Sequence, residues 1–146
     1  MCCIWGGLEA SVKFRTEIRV RYAETDAMGI VYHGNYFDWM EVGRSELFRS
    51  IGLPYTQIEE EGIYIPVIEV HCKYFRPARY DDEVIVETHV EKFSAASGVL
   101  KYTMYLKKDN TILVEAQTVH AFVNNKGRPV NIKKIPKIYN KLLEIT

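Results

Sequence analysis

Cysteine is scarce in this sequence, and no group of residues has the spacing of a disulfide framework or a metal site. Cys2, Cys3 and Cys72 are an odd number without metal-ligand spacing, and the four histidines form no paired motif such as HExxH. A Gly-x-Ser-x-Gly elbow is also missing, so a serine triad has no support. These absences predict reduced thiols, with Cys72 in the core, and no bound metal.

Net charge and long apolar runs are absent too. The 19 basic and 19 acidic residues cancel, so no global field draws the protein toward nucleic acid or an anionic membrane. No segment approaches the roughly 18 consecutive apolar residues of a membrane span, and the first residues contain no basic leader. We therefore expect a cytoplasmic protein that binds neither nucleic acid nor membrane, with any anion site confined to a local patch.

The sequence does contain enough apolar material for one domain with its own core. Its 146 residues are 47% hydrophobic and 26% charged, which is ordinary for a globular protein. Residues 1–12 show no period that joins them to the first strand, and they are predicted to be an N-terminal extension with no part in the fold. Residues 13–146 are predicted to form a single domain.

Alternation and periodicity predict the element order β-α-β-β-β-β-α. Residues 13–22 alternate between charged and apolar side chains, with Tyr22 last on the apolar face, which indicates a half-buried strand. Helical spacing from 35 to 51 gives an apolar stripe that begins at Phe37 and is interrupted only by Arg44. The other predicted elements are a short helix before residue 62, strands at 68–74, 84–90, 100–106 and 112–123, and a C-terminal helix at 135–145.

This order predicts an α+β domain in which an antiparallel sheet of about five strands curls around one long helix, because only that arrangement buries both apolar faces. The edge strands would still expose unpaired backbone groups. Symmetric dimers commonly cover such edges, so we expect a homodimer or a tetramer.

The segment "RYAETDAMGIVYHGNYFDWMEVGRSELF" holds the candidate site. A strand ends in Glu24 and Asp26, and a loop with Gly29, His33 and Gly34 leads into the long helix. Attack on a thioester needs a base or nucleophile near the carbonyl carbon and a hydrogen-bond donor for the oxyanion. A carboxylate near a helix start can supply the first, and the free backbone N–H groups of the helix start can supply the second. From spacing alone, Asp26 is more often an acid that caps a turn.

The same segment resembles the hotdog-fold acyl-CoA thioesterases of the hydroxybenzoyl-CoA thioesterase/YbgC family. The resemblance continues in "YFRPARYDDEVIVET" and "AFVNNKGRPVNI". It implies a hotdog fold, an active site at a dimer interface, and hydrolysis of an acyl-CoA without a cofactor, since coenzyme A enters as part of the substrate. It also implies Asp26 as the catalytic base or nucleophile and the His33 backbone amide as the group that polarises the carbonyl.

Several neighbouring residues are predicted to bind substrate. Gly29 and Gly34 allow a tight turn and a close approach of ligand to the main chain, and Tyr32 lies beside them. A late basic segment offers Arg128, Lys133 and Lys134 to the phosphates of coenzyme A, although a solvated loop has the same composition.

The residues leave other functions open. A hotdog dehydratase that acts on acyl chains held by carrier protein would need a histidine paired with an acid, and a non-catalytic acyl-binding module would keep the fold alone. Structural roles are expected for Glu24 as a solvated acid, for Asn35 as a helix cap, and for Glu41 and Arg44 as an ion pair one helical turn apart.

Overall fold

The computed structural model describes residues 12–146. Nearly all of the predicted N-terminal extension, with Cys2 and Cys3, therefore lies outside the described residues, and the predicted domain boundary stays a prediction. The described elements are β1 (Phe14–Arg19), α1 (Asn35–Ser50), α2 (Tyr55–Glu60), β2 (Val67–Tyr74), β3 (Glu83–Phe93), β4 (Ser97–Leu106), β5 (Ile112–Ala121) and α3 (Pro136–Ile145). Short 3₁₀ turns occupy Tyr22–Glu24 and Ile132–Lys134.

The five strands form one antiparallel sheet in the order β1-β3-β4-β5-β2. Along β3 and β4, residues alternate between buried and half-buried, because one face of the sheet packs on α1 and the other meets solvent. The predicted α+β fold and its element order are confirmed. Within residues 12–146, no helix is both long enough and apolar enough to span a membrane.

The long helix approaches the sheet most closely at Gly43. A Cβ atom at Gly43 would lie 2.5 Å from Thr88 Oγ1 and 2.9 Å from Val86 Cγ1, so any side chain there would push the helix away from β3. The prediction that Phe37 belongs to the buried stripe is wrong, because Phe37 is 44% exposed and the buried face of the helix begins at Tyr36. The buried residues of the helix are Tyr36, Trp39, Met40, Gly43, Leu47 and Phe48.

Strand β2 differs from the central strands because it lies at an edge of the sheet and is exposed on both faces. Its large apolar side chains at Val67, Ile68, Val70 and Tyr74 are all exposed, and only Cys72 packs against the core. In the sheet that the structure describes, β2 pairs with β5 on one side and with no strand on the other. An apolar edge of this kind is suited to pair with another chain.

Candidate active site

The chain between β1 and α1 is held in place by a buried acid, Glu24. Its carboxylate accepts hydrogen bonds of 2.8 Å from the indole Nε1 of Trp39 and from the backbone N–H of Arg21. Burial pushes the pKa of Glu24 upward, but the hydrogen bonds from Arg21 and Trp39 outweigh burial and lower it below its usual value. The expectation of a solvated Glu24 is wrong, since the side chain is 6% exposed and anchors the segment to the helix. Tyr22, predicted on the apolar face, is instead 77% exposed in the 3₁₀ turn.

Backbone bonds to Glu24 set the entry to the helix. The carbonyl oxygen of Glu24 accepts hydrogen bonds from the Tyr32 backbone N–H at 2.9 Å and from Asn35 Nδ2 at 2.7 Å. The expectation that Asn35 caps α1 is wrong. Asn35 is the first helical residue, and Gly34 occupies the cap position. A Cβ atom at Gly34 would lie 2.9 Å from the Tyr32 ring, so Gly34 is required for the ring to pack there.

Asp26 lies in a tight loop between these two anchors. Its Oδ1 accepts a hydrogen bond of 2.9 Å from the Met28 backbone N–H, and its backbone N–H donates to the Ile30 carbonyl. Gly29 allows this loop because its φ is +75°, a left-handed conformation that other residues rarely adopt. One carboxylate oxygen thus caps the turn, while Oδ2 has no hydrogen-bond partner in residues 12–146.

The start of α1 provides donors next to this loop. The backbone N–H groups of His33 and Gly34 donate to no acceptor within the described part of the chain. Unpaired amides at a helix N-terminus carry partial positive charge and bind developing oxyanions well. The His33 carbonyl is fixed by a hydrogen bond of 3.0 Å from the Tyr74 hydroxyl, which ties the helix start to the end of β2.

The carboxylate and the helix start border one cavity of about 420 Å³. Aromatic side chains form part of its wall, where the Tyr74 ring lies edge-on to Tyr36 with centroids 5.4 Å apart and edge-on to His33 at 6.3 Å. The lining residues are Asp26, Met28, Ile30, Val31, His33, Tyr36, Tyr74, Phe75, Arg76 and Pro77. The cavity therefore brings together Asp26, the helix start at His33 and a partly apolar wall.

The predicted basic residues lie elsewhere in the protomer. Arg128 is exposed in the turn after β5, and Lys133 and Lys134 are exposed in the 3₁₀ turn Ile132–Lys134. None of these three lines the Asp26 cavity, whereas Arg76 does.

A second cavity, of about 660 Å³, lies beside the other end of β2. The ion pair expected between Glu41 and Arg44 is absent, because no acid of the described chain lies within 4.0 Å of Arg44, and its Nη1 points inward to the Tyr102 hydroxyl at 3.5 Å. The cavity is lined by Glu41, Arg44, Tyr55, Glu59, Tyr64, Ile65, Pro66, Val123, Asn124, Asn125 and Gly127.

Behind Arg44 runs a chain of side-chain hydrogen bonds that the sequence did not reveal. Tyr102 and Thr118 share a hydrogen bond of 2.8 Å, Thr118 meets His120 Nε2 at 2.8 Å, and His120 Nδ1 meets the Ile65 carbonyl at 3.2 Å. Arginine can only donate and a carbonyl can only accept, so each hydroxyl donates toward His120 and the imidazole donates from Nδ1. Burial lowers the pKa of His120 to about 4, which keeps the ring neutral in this role.

Comparisons with known proteins agree with this architecture. Residues 20–144 match the model of the thioesterase-like superfamily. A putative acyl-CoA thioesterase, YneP of Bacillus subtilis, is 36% identical over 82% of this chain and 87% of that protein. The acyl-CoA thioester hydrolase YbgC of Escherichia coli is 31% identical over 73% of this chain and 78% of that protein.

Solved structures of thioesterases also resemble this chain. The structure of a DHNA-CoA thioesterase from Staphylococcus aureus has a TM-score of 0.86 and 32% identity, and the match covers 91% of this chain and 90% of that one. The chain belongs to the thioesterase-like superfamily. The resemblance to hotdog-fold thioesterases is confirmed, and so is the prediction of an enzyme of the thioesterase class.

Proposed function

We propose that the protein hydrolyses an acyl-CoA thioester to the free acid and coenzyme A at the Asp26 cavity. The observation that carries the proposal is that the carboxylate of Asp26 and the unpaired amide of the helix start at His33 border the same partly aromatic cavity. A substrate carbonyl oxygen at the helix start would gain stabilisation as negative charge develops on it. The free Oδ2 of Asp26 would then take a proton from an attacking water, or attack the carbonyl carbon itself to form a mixed anhydride that a water molecule hydrolyses in a second step. In both routes the C–S bond breaks, and the thiolate leaves and takes up a proton that comes from the water.

The phosphates of coenzyme A need basic groups near this cavity. Arg76 lines it, and a Cβ atom at Gly29 would lie 4.0 Å from Arg79 Nη1, so two arginines are close to the reactive loop. Arg128, Lys133 and Lys134 remain candidates only if another subunit brings them near.

The partner in this proposal is a second copy, which pairs with β2 across a two-fold axis normal to the sheet. Such an axis leaves each side chain on the same face of the sheet in both copies. Residues that lie opposite each other in an antiparallel pair share a face, and side chains alternate between faces along a strand. The two residue numbers of an opposite pair must therefore add up to an even number. When that sum is 142, Glu69 lies opposite the partner's Lys73, and the exposed Val70 lies opposite the partner's Cys72. This register creates two ion pairs by symmetry and covers exposed apolar side chains, both of which stabilise antiparallel strands.

The first test replaces the carboxylate by its near-isosteric amide. Asp26→Asn keeps the hydrogen bond from Met28 to Oδ1, so the fold should persist while hydrolysis of acyl-CoA falls by about 10² to 10⁴-fold, the usual loss for a positioned base. Release of free thiol from a panel of acyl-CoAs, with circular dichroism as the folding check, measures both. A folded variant with near-normal turnover would move the chemistry away from Asp26, and a wild type that binds but never hydrolyses would indicate an acyl-binding module.

The second test examines the dimer by charge reversal. Glu69→Lys places like charges opposite each other twice in the proposed interface, and so does Lys73→Glu, so each should weaken association by about 10-fold. The double variant restores opposite charges and should associate like the wild type. Light scattering over a concentration series decides the matter. Equal association of all four proteins would exclude this register, and a fully active monomer would exclude the interface.

A further inference from the structure

We infer that the Arg44 cavity of one subunit is the distal acyl subsite for the Asp26 site of its partner, and that it selects acyl groups with a terminal carboxylate. The inference rests on the proposed function and on the β2 dimer. It assigns a carboxylate ligand to the second cavity, and the side chains of that cavity support this assignment independently of the dimer.

Most of the N–H donors of Arg44 are available to a ligand. A guanidinium carries five N–H donors, but in residues 12–146 Arg44 makes one long hydrogen bond, of 3.5 Å to the Tyr102 hydroxyl, and no ion pair. Tyr55 lines the same cavity beside Arg44, and burial raises the pKa of its hydroxyl against the opposing effect of this guanidinium, so Tyr55 stays a neutral donor. Both residues are half-buried, whereas the acids Glu41 and Glu59 at this cavity are exposed to solvent. The deeper groups are therefore donors, and a carboxylate is the acceptor that suits a guanidinium best.

The donors are also held in position before any ligand arrives. The hydroxyl that meets Arg44 belongs to the chain through Tyr102, Thr118 and His120, and this chain ends on the carbonyl of Ile65, which lines the same cavity. Ordering these groups in advance lowers the entropy cost of binding. A solvated surface arginine has no such support.

The dimer places this cavity beside the partner's reactive loop. Both cavities are lined by residues of α1, so both lie on the helix side of the sheet. The Asp26 cavity includes Arg76 and Pro77, just past one end of β2, and the Arg44 cavity includes Ile65 and Pro66, just before the other end. A β-bulge between Val67 and Glu69 shifts the register at that end of β2, so Arg76 and Pro77 lie near the partner's Pro66 and Ile65 without being directly opposite them. The two cavities then adjoin across the interface.

The substrate in this arrangement spans both cavities. Its thioester lies at Asp26 of one subunit, and the far end of its acyl chain reaches Arg44 of the partner subunit. Each cavity, at about 420 and 660 Å³, falls in the size range of small-molecule pockets, so there is room for an acyl chain and its terminal group.

Matched substrates test the selectivity. Adipoyl-, suberoyl- and sebacoyl-CoA carry a terminal carboxylate, and hexanoyl-, octanoyl- and decanoyl-CoA are neutral partners of equal carbon number. For at least one chain length, the wild type should have a kcat/KM about 10-fold or more higher for the acid than for its neutral partner. Arg44→Met should reduce this ratio of kcat/KM values by about 10- to 100-fold, as expected for the loss of a charge-assisted hydrogen bond. Arg44→Lys should keep part of the preference. If Arg44→Met does not fold, Tyr55→Phe should still lower the ratio several-fold. The inference is overturned if no length shows a preference, or if the variants lower both kinds of substrate equally.

Mixed dimers test whether the two residues act across the interface. A heterodimer of Asp26→Asn with Arg44→Met holds one site in which Asp26 of one subunit faces Arg44 of the partner subunit, so it should recover about half the wild-type activity on the preferred acid. The control heterodimer joins wild type to the double variant and holds no such pair, so it should lack the preference. A reversed result would show that both residues serve one subunit's own site and would overturn the subsite while leaving acyl-CoA hydrolysis intact. A wild type without any acyl-CoA hydrolysis would overturn the proposed function itself.

Discussion

The two ends of β2 border cavities that the chain builds in different ways. At the Tyr74 end the reactive groups depend on backbone conformation, namely the left-handed Gly29 and the unpaired amides of His33 and Gly34. At the Ile65 end the donors depend on side chains from α1, β4 and β5 that form one buried hydrogen-bonded chain. The first construction is local in sequence, and the second joins residues that are far apart.

This difference separates function from stability. A backbone loop on the surface can be altered without removing core contacts, so changes at the Asp26 end should affect activity more than folding. The middle members of the hydrogen-bonded chain, Tyr102, Thr118 and His120, are buried, and loss of one of them leaves polar groups in a dry environment, which costs free energy of folding. Variants at the Asp26 end should therefore lose more activity than stability, and variants in the hydrogen-bonded chain should lose more stability than activity.

The largest effect on stability is expected from Thr118→Val. The substitution keeps the side-chain volume but removes the hydroxyl that accepts from Tyr102 and donates to His120. Two buried polar groups would lose their partner, at roughly 1 to 3 kcal/mol each, so the free energy of unfolding should fall by about 2 to 5 kcal/mol. Urea denaturation measures this loss.

Thr88→Val provides the matched control. Thr88 is as buried as Thr118 and points toward α1 from β3, where it pairs with Tyr102, but its hydroxyl has no hydrogen-bond partner in the described chain. The same substitution should therefore leave the stability unchanged or raise it by about 1 kcal/mol, because a desolvated hydroxyl is removed. Equal losses for the two variants would mean that the hydrogen-bonded chain contributes nothing specific.

The sequence predicted the locally built end better than the other. Alternation and helical spacing were enough for the element order and for α1, which ends one residue before the predicted boundary. Asp26 and the glycines of its loop were also accessible, because a turn and a helix start depend on neighbouring residues. Whether they perform the chemistry assigned to them stays a prediction until the variants are measured.

The rest depended on contacts that no local pattern encodes. The bond between Trp39 and Glu24 joins residues 15 apart, and the contact between Arg44 and Tyr102 joins residues 58 apart. Each depends on how α1 packs against the rest of the fold, where Gly43 closely approaches β3. A glycine in the middle of an otherwise regular helix was the one available signal, since it costs about 1 kcal/mol relative to alanine and is kept for a packing reason.

A smaller loss of stability than for Thr118→Val, with a larger effect on activity, is expected from Gly29→Ala at the Asp26 end. Gly29 and Gly62 have nearly the same left-handed conformation, with φ of +75° and +77°. Alanine at either position meets no close atom, since the nearest to Gly29 is Arg79 Nη1 at 4.0 Å and Gly62 has nothing within 4 Å. Each substitution should therefore cost only about 1 kcal/mol, the usual penalty for a left-handed residue with a Cβ atom.

Activity should distinguish the two glycines. Gly29 lies in the loop that positions the carboxylate of Asp26, so a small shift of that loop should lower kcat, and roughly 10² is lost in enzymes when a reacting group moves by about 1 Å. Gly62 lies in the turn after α2 and lines neither cavity, so Gly62→Ala should keep the wild-type kcat. Thermal unfolding and steady-state kinetics on one acyl-CoA provide both measurements. If both variants keep full activity at equal stability loss, Gly29 serves only the turn, and the position of Asp26 must be secured by the backbone bonds of Ile30 and Met28 alone.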